Sequence, residues 1–205
     1  MRFGWTDAET PAAHAYLAPA VLRALDAHAP GWRRGRRLLD AGCGNGALAA
    51  LLAEGGADVL GVDPADDAVA MARTRATAAR FEVGCAGAAL AAREGAFDAV
   101  LAVEVIEHVY DPQGFAEALR AMLKPGGVAI LTTPYHGYCK NLALSLAGAW
   151  DRHHHPGTLH GHIKFFSRPT LAAVLEAGGL AVVETRRLGR IPPLAKSLLA
   201  VARAR

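Results

Sequence analysis

Leu38-Leu39-Asp40-Ala41-Gly42-Cys43-Gly44-Asn45-Gly46 is a short apolar run that ends in a carboxylate and passes into a loop with glycine at every second position. Leu48, Leu51 and Leu52 follow at i, i+3 and i+4, the spacing of one helix face. Strand, glycine loop, helix is how an α/β fold brings bare backbone close to a nucleotide-like ligand. Gly42, Gly44 and Ala47 satisfy G-x-G-x-x-G/A. Asp63 stands about 20 residues further on, where a ribose-binding acid belongs.

The glycines do not separate a nicotinamide dinucleotide from S-adenosylmethionine; Asp40 does. A dinucleotide sets an anionic pyrophosphate over this loop, and a carboxylate beside it is repelled, by several kcal/mol in a dry site. S-adenosylmethionine has no phosphate, and its methionine end carries an ammonium that a carboxylate attracts. The plainer role for Asp40 is to cap the turn that follows it. For Asp63 it is a helix cap before Pro64, which is compatible with holding a ribose.

Outward from this loop, strand and helix patterns alternate. Leu38-Leu39 is the first strand, and residues 45–54 are a helix closed by Gly55-Gly56. Residues 58–62 are a second strand, 66–76 a helix, 80–83 a weak third strand, and 97–103 a clean apolar fourth. Asp111-Pro112 starts a helix, and Pro125-Gly126-Gly127 turns into a fifth strand over 128–132. Ser167 caps another helix that Gly178-Gly179 ends; residues 180–184 are a strand, and 197–202 a last strand or a short helix. Upstream, Thr10-Pro11 reads as a helix start, with Leu17, Val21, Leu22 and Leu25 on one face. The expected architecture is α/β: a doubly wound, Rossmann-like sheet of seven strands, mostly parallel with the last antiparallel, and helices on both faces. Each motif falls at the carboxyl end of a strand, where such sheets bind ligands.

With 205 residues, 52% of them hydrophobic and 20% charged, the chain suits a single domain over 1–205. Residues 1–30 are expected to form an N-terminal helical cap, and 134–168 a lid or acceptor-binding insertion, since that stretch breaks the alternation. The net charge of +3 is spread along the chain and does not imply a nucleic-acid partner. Three cysteines, Cys43, Cys85 and Cys139, give neither a disulfide framework nor a zinc site and fit a reducing, cytoplasmic setting. No signal peptide or transmembrane run is read, and a monomer or homodimer is expected.

At this point the residues resemble a family. Leu38 to Gly46 is similar to motif I of class I S-adenosylmethionine-dependent methyltransferases. Gly61-Val62-Asp63-Pro64 resembles their second motif, Phe97-Asp98-Ala99-Val100 through Glu107-His108-Val109 the fourth, and Leu123-Lys124-Pro125-Gly126-Gly127 the turn before strand five. Four motifs in order cover residues 36–133, and the likeness is to the ubiquinone-biosynthesis O-methyltransferase type. The resemblance implies that Gly42, Cys43 and Gly44 pass under the cofactor, with Asp40 near its methionine end. It implies that Asp63, followed by Pro64, accepts both ribose hydroxyls, that Val103 lies beside the cofactor, and that Tyr16 covers the methionine tail. One departure stands out: relatives often carry an acid for the adenine amino group where this chain has Cys85-Ala86-Gly87-Ala88.

Glu104, Glu107 and His108 follow the fourth strand at i, i+3 and i+4, which one helical turn would bring to one side. Some relatives hold magnesium on such a set, so a divalent metal on Glu104, Glu107 and His108 is one reading. The favoured one is structural, with Glu107 and His108 bonding loop backbone. The triplet His153-His154-His155 reads as solvated loop. His162, in Gly161-His162-Ile163-Lys164-Phe165-Phe166-Ser167, and His136 after strand five are expected to roof the acceptor pocket. His108, His136 and His162 are the candidate general bases. The expected activity is methyl transfer to a small-molecule acceptor, in first place on oxygen. Leu142, Leu144, Leu146 and Trp150 favour a partly apolar one. The alternatives are a nicotinamide-dependent oxidoreductase and a non-catalytic module that binds S-adenosylmethionine.

Overall fold

Four of the five residues of β1 (Arg37–Ala41) are buried, as a strand covered on both faces requires. In the computed structural model, which describes residues 13–154 and 161–205, β1 lies at the centre of a seven-stranded sheet. The others are β2 (Asp58–Asp63), β3 (Arg80–Val83), β4 (Phe97–Val103), β5 (Leu123–Pro134), β6 (Leu180–Leu188) and β7 (Ser197–Ala204), in the order β3-β2-β1-β4-β5-β7-β6. The first five run parallel; β7 is antiparallel to both β5 and β6.

Alternation along the strands sorts the core into two layers. Leu38, Ala99, Leu101, Leu199 and Val201 face one side, against α1 (His14–His28), α2 (Ala47–Glu54) and α3 (Asp66–Ala72). Leu39, Val100, Ala102, Leu198 and Ala200 face the other, against α4 (Ala88–Glu94), α5 (Pro112–Ala121) and α8 (Arg168–Ala177). Antiparallel pairing of Ser197–Ala204 with both β5 and β6 settles the last segment as a strand rather than a helix. Strand order reverses at β1, between β2 and β4. The carboxyl ends of β1 and β4 therefore flank the crevice where such sheets take ligands.

The structure differs from the sequence reading at several places. α4 was not anticipated: only Leu90 of it is buried, so it carries no apolar period, and its alanines supply helix propensity instead. β5 begins at Leu123 rather than at residue 128, because Leu123 pairs with Phe97 ahead of a bulge opposite Phe97/Ala99. β6 runs on to Leu188, and α3 stops at Ala72. The segment read as a lid holds two helices, α6 (Tyr138–Leu146) and α7 (Trp150–His154). The Thr10-Pro11 start, and His155 of the histidine triplet, lie outside the described residues. Among the described residues no helix is long and apolar enough to cross a membrane.

Candidate functional site

The glycine loop joins β1 to α2 in a conformation that demands its glycines. Gly42, Gly44 and Gly46 have φ of 82°, 51° and 77°, a region that side-chain-bearing residues rarely enter. Space forbids a side chain as well. A Cβ on Gly42 would sit 2.5 Å from Val105 Cγ2, and one on Gly46 2.7 Å from the Phe81 ring. The amides of Gly42 and Cys43 both donate to Val62 O, at 2.7 and 3.0 Å, which pins the loop to β2. Gly42 and Gly44 stay half-open to solvent while Cys43 is buried beneath them. Burial, and then Asp40, push the Cys43 thiol up, so it packs as a neutral group.

Two carboxylates frame the loop. Asp40 is 2% exposed, and its Oδ2 is buried with no hydrogen-bond partner. Burial, and then the nearby Asp63, raise its carboxyl to about 7, against a hydrogen bond from the backbone of Ala49. Asp63 accepts from Gly44 N (2.9 Å) through Oδ2 and from Ala65 N (2.8 Å) through Oδ1. Its capping role is thus present. Each oxygen keeps a second lone pair for a ligand. Pro64, next to it, is exposed.

Beyond Val103 the chain leaves β4 through Glu104, the non-glycine residue with positive φ (55°) among those described. Its amide donates to both the carbonyl and the hydroxyl of Thr132, each at 3.1 Å. Its carboxylate is hydrogen-bonded by the Thr132 and Ser197 side chains, and burial lifts it to about 7. Oε1 is buried without a partner. Glu104 opens into a cavity of about 290 Å³ between α1, α6 and the β6–β7 loop, where Tyr16, Lys140, His162, Arg190 and Lys196 also stand. Tyr16, from α1, bonds Ser197 Oγ at 3.0 Å.

The expected helical turn is a three-residue 3-10 turn, Ile106–His108, and Glu104 precedes it. Glu104 therefore stands outside the turn, although its carboxyl is near enough to act on that of Glu107. The ligand atoms that cluster within 4.8 Å are those of Glu107, His108 and His162. Glu107 is fully buried, held by Thr133 Oγ1 at 3.0 Å, and raised well above the ordinary value by burial and then Glu104. Its carbonyl accepts from Ile163 N and Lys164 N, at 2.9 and 3.0 Å, and His108 Nδ1 lies 3.3 Å from Gly161 O.

Of the three candidate bases, His108 and His162 stand together and His136 lies apart. His162 lines the cavity edge-on to His108, ring centroids 4.9 Å apart, and burial and then His108 lower it to about 4. His136 does not line that cavity. It packs among His153, His154 and Phe165, pairs with Asn141 Oδ1 at 3.4 Å, and burial lowers it to about 4. Leu142, Leu144 and Leu146 do not line it either: α6 has no buried residue, and Leu146 is 81% exposed. The sequence reading missed Ser197, Lys140, Arg190 and Lys196, which belong to no motif.

A family profile described as a methyltransferase domain matches residues 12–185. The ubiquinone biosynthesis O-methyltransferase of Dinoroseobacter shibae is 35% identical over 169 residues, 78% of this chain and 66% of that protein. The chain thus spans just under two thirds of that relative's length. The protein of the same description from Burkholderia thailandensis is 35% identical over 185 residues, 88% of this chain and 78% of its own. Among solved structures, magnesium protoporphyrin IX methyltransferase from Synechocystis, with bound SAH, superposes with a TM-score of 0.70 at 21% identity, covering 92% of this chain and 82% of that one. That likeness establishes the sheet and its winding.

Proposed function

The chain belongs to the methyltransferase domain family, and from that premise we propose that it transfers the methyl group of S-adenosylmethionine to a hydroxyl oxygen of a small-molecule acceptor in the cytoplasm. The observation that carries this reading is Asp40 beside the glycine loop, a buried acid with an unpartnered oxygen. Such an atom is costly unless a ligand completes it. A cation completes it and a pyrophosphate does not. The positive-φ loop fits the same group, since Gly42 and Gly44 leave half-open backbone beside Asp63. The relatives named as ubiquinone biosynthesis O-methyltransferases point to oxygen as the accepting atom.

When bound, the cofactor supplies a methyl group on a positively charged sulfur, already activated for displacement. The chain's own residues then bind, orient and move one proton. Asp40 takes the ammonium end, and Asp63 offers its remaining lone pairs to the ribose hydroxyls. Gly42, Gly44 and Val103 form the surface beneath. Glu104 is the general base: a carboxyl near 7 accepts a hydroxyl proton at neutral pH better than His162 at about 4. Tyr16 and Ser197 position it. Glu107, His108 and His162 are of the donor types that suit a divalent cation. We assign them instead to tying residues 161–164 onto the end of β4, because the Glu107 carbonyl and the His108 ring already meet that segment.

Calorimetric titration with S-adenosylhomocysteine tests the cofactor site. Binding by the native chain, weakened about tenfold or more in Asp63→Ala, is expected. No heat with either protein refutes the reading. Binding without labelled methyl transfer to any hydroxyl compound would leave the non-catalytic module.

A further inference from the structure

The cavity that holds Glu104 is lined by three cations, and we propose that the acceptor carries an oxyanion, a carboxylate or a phosphate, bound by Lys140, Arg190 and Lys196. The inference rests on the methyl-transfer reading of the same site and adds the chemical class of acceptor.

Lys140 comes from α6, Arg190 and Lys196 from the β6–β7 loop, and all three line one cavity with Glu104, Tyr16 and His162. Elsewhere on this chain basic side chains commonly meet acids: Arg36 and Lys124 share Asp98, Arg80 meets Glu94, and Arg205 meets Glu176. Among the described residues none of the three cavity cations forms an ion pair, and Glu104 stays beyond ion-pair distance of them. Free surface lysines are ordinarily solvated and mean little. These are held. Lys196 is anchored on both sides through its backbone, donating to Leu188 O at 2.8 Å and accepting from Tyr135 N at 2.9 Å, and its ammonium stands 5.3 Å over the Tyr16 ring. Gly189, at φ 87°, lets the Lys196 side chain pass within 3.0 Å of where a Cβ would be. Burial and then the neighbouring Arg190 disfavour the charged form of Lys140, with Glu104 pulling the other way. An oxyanion between them relieves both effects at once, as a carboxylate or phosphate does between fixed donors. The exposed leucines of α6 do not line this cavity.

The test uses the intact chain and simple probes. Benzoate and phenyl phosphate, as carboxylate and phosphate sources, are compared with benzamide and phenol in thermal-shift and calorimetric titrations, with and without S-adenosylhomocysteine. The expected result is saturable binding of at least one oxyanion at least tenfold tighter than its neutral counterpart, weakening with added salt. In Lys140→Ala/Arg190→Ala that preference falls at least tenfold while S-adenosylhomocysteine still binds. Preference for benzoate alone identifies a carboxylate acceptor, and for phenyl phosphate alone a phosphorylated one. Equal affinity for charged and neutral probes, no binding of either oxyanion, or an unchanged preference in the double variant overturns the proposal. Failure of S-adenosylhomocysteine to bind strikes the cofactor reading instead, and the oxyanion titration without it still reads the cation cluster.

Discussion

Replacing Asp40 with Asn should make the free protein more stable and the ligand-binding protein worse. Asp40 titrates at about 7 in the folded chain and near 3.8 when unfolded. Between those values the folded state keeps a proton that the unfolded state has released. Stability from this group is therefore full below about pH 4, declines as pH rises, and is fully lost above about 7. The span corresponds to a destabilisation on the order of 4 kcal/mol at pH 8. Asn is nearly isosteric and keeps an oxygen for the Ala49 amide, but cannot ionise. Asp40→Asn should then raise the melting temperature at pH 8 by on the order of 10 °C for a domain of this size, and by little at pH 4. Affinity moves the other way. In the native chain Asp40 must ionise to meet an ammonium, so S-adenosylhomocysteine should bind about tenfold more weakly for each pH unit below 7. Asn should bind weakly and without that slope. Differential scanning fluorimetry and calorimetry across pH 4–8 read both effects. An unchanged or lowered melting temperature at pH 8, together with pH-independent binding by the native chain, would refute the role given to Asp40.

Three further outcomes follow from the same geometry. Glu104 must be ionised to act as base, so kcat should rise with pH through about 7; Glu104→Gln should lower kcat by about 10²–10⁴ and flatten the profile, with S-adenosylhomocysteine affinity kept, and an undiminished rate would remove Glu104 from the chemistry. Gly42→Ala should destabilise the fold by about 2–4 kcal/mol, from left-handed strain plus the clash with Val105; adding Val105→Ala should recover the clash part only, and a melt unchanged by Gly42→Ala contradicts the loop geometry. Chelation with EDTA should leave methyl transfer unchanged, because Glu107 and His108 serve the 161–164 segment; activity lost and restored by magnesium would reassign them, with His162, as ligands.

The winding of the sheet was legible because its residues are sorted by simple periods. Leu38 and Leu39 enter opposite core layers, and so do Leu101 and Ala102. The glycine loop was legible because backbone there needs positive φ, which leaves a mark in composition. α4 left no such mark, since a helix carried by alanine and burying one leucine has no periodic stripe. Glu104, Glu107 and His108 misled through spacing: i, i+3, i+4 presumes an α-turn, whereas the chain leaves β4 with Glu104 tied back to Thr132 and only then makes a 3-10 turn. His136 follows β5 after one residue, yet a hydrogen bond from its amide to Phe166 O turns it into the aromatic stack. The cavity cations were invisible because Lys140 and Arg190 meet only through the packing of α6 on the β6–β7 loop.

The central claim, that this site moves a methyl group from S-adenosylmethionine to oxygen, is tested most directly by following ¹³C-methyl-labelled cofactor by NMR. The purified chain is given hydroxyl compounds that carry a carboxylate or phosphate. The account predicts one labelled methyl ether formed for each S-adenosylhomocysteine released, with the transfer lost in Asp63→Ala. Label that stays on sulfur with every acceptor, in a protein that binds the cofactor, would contradict it.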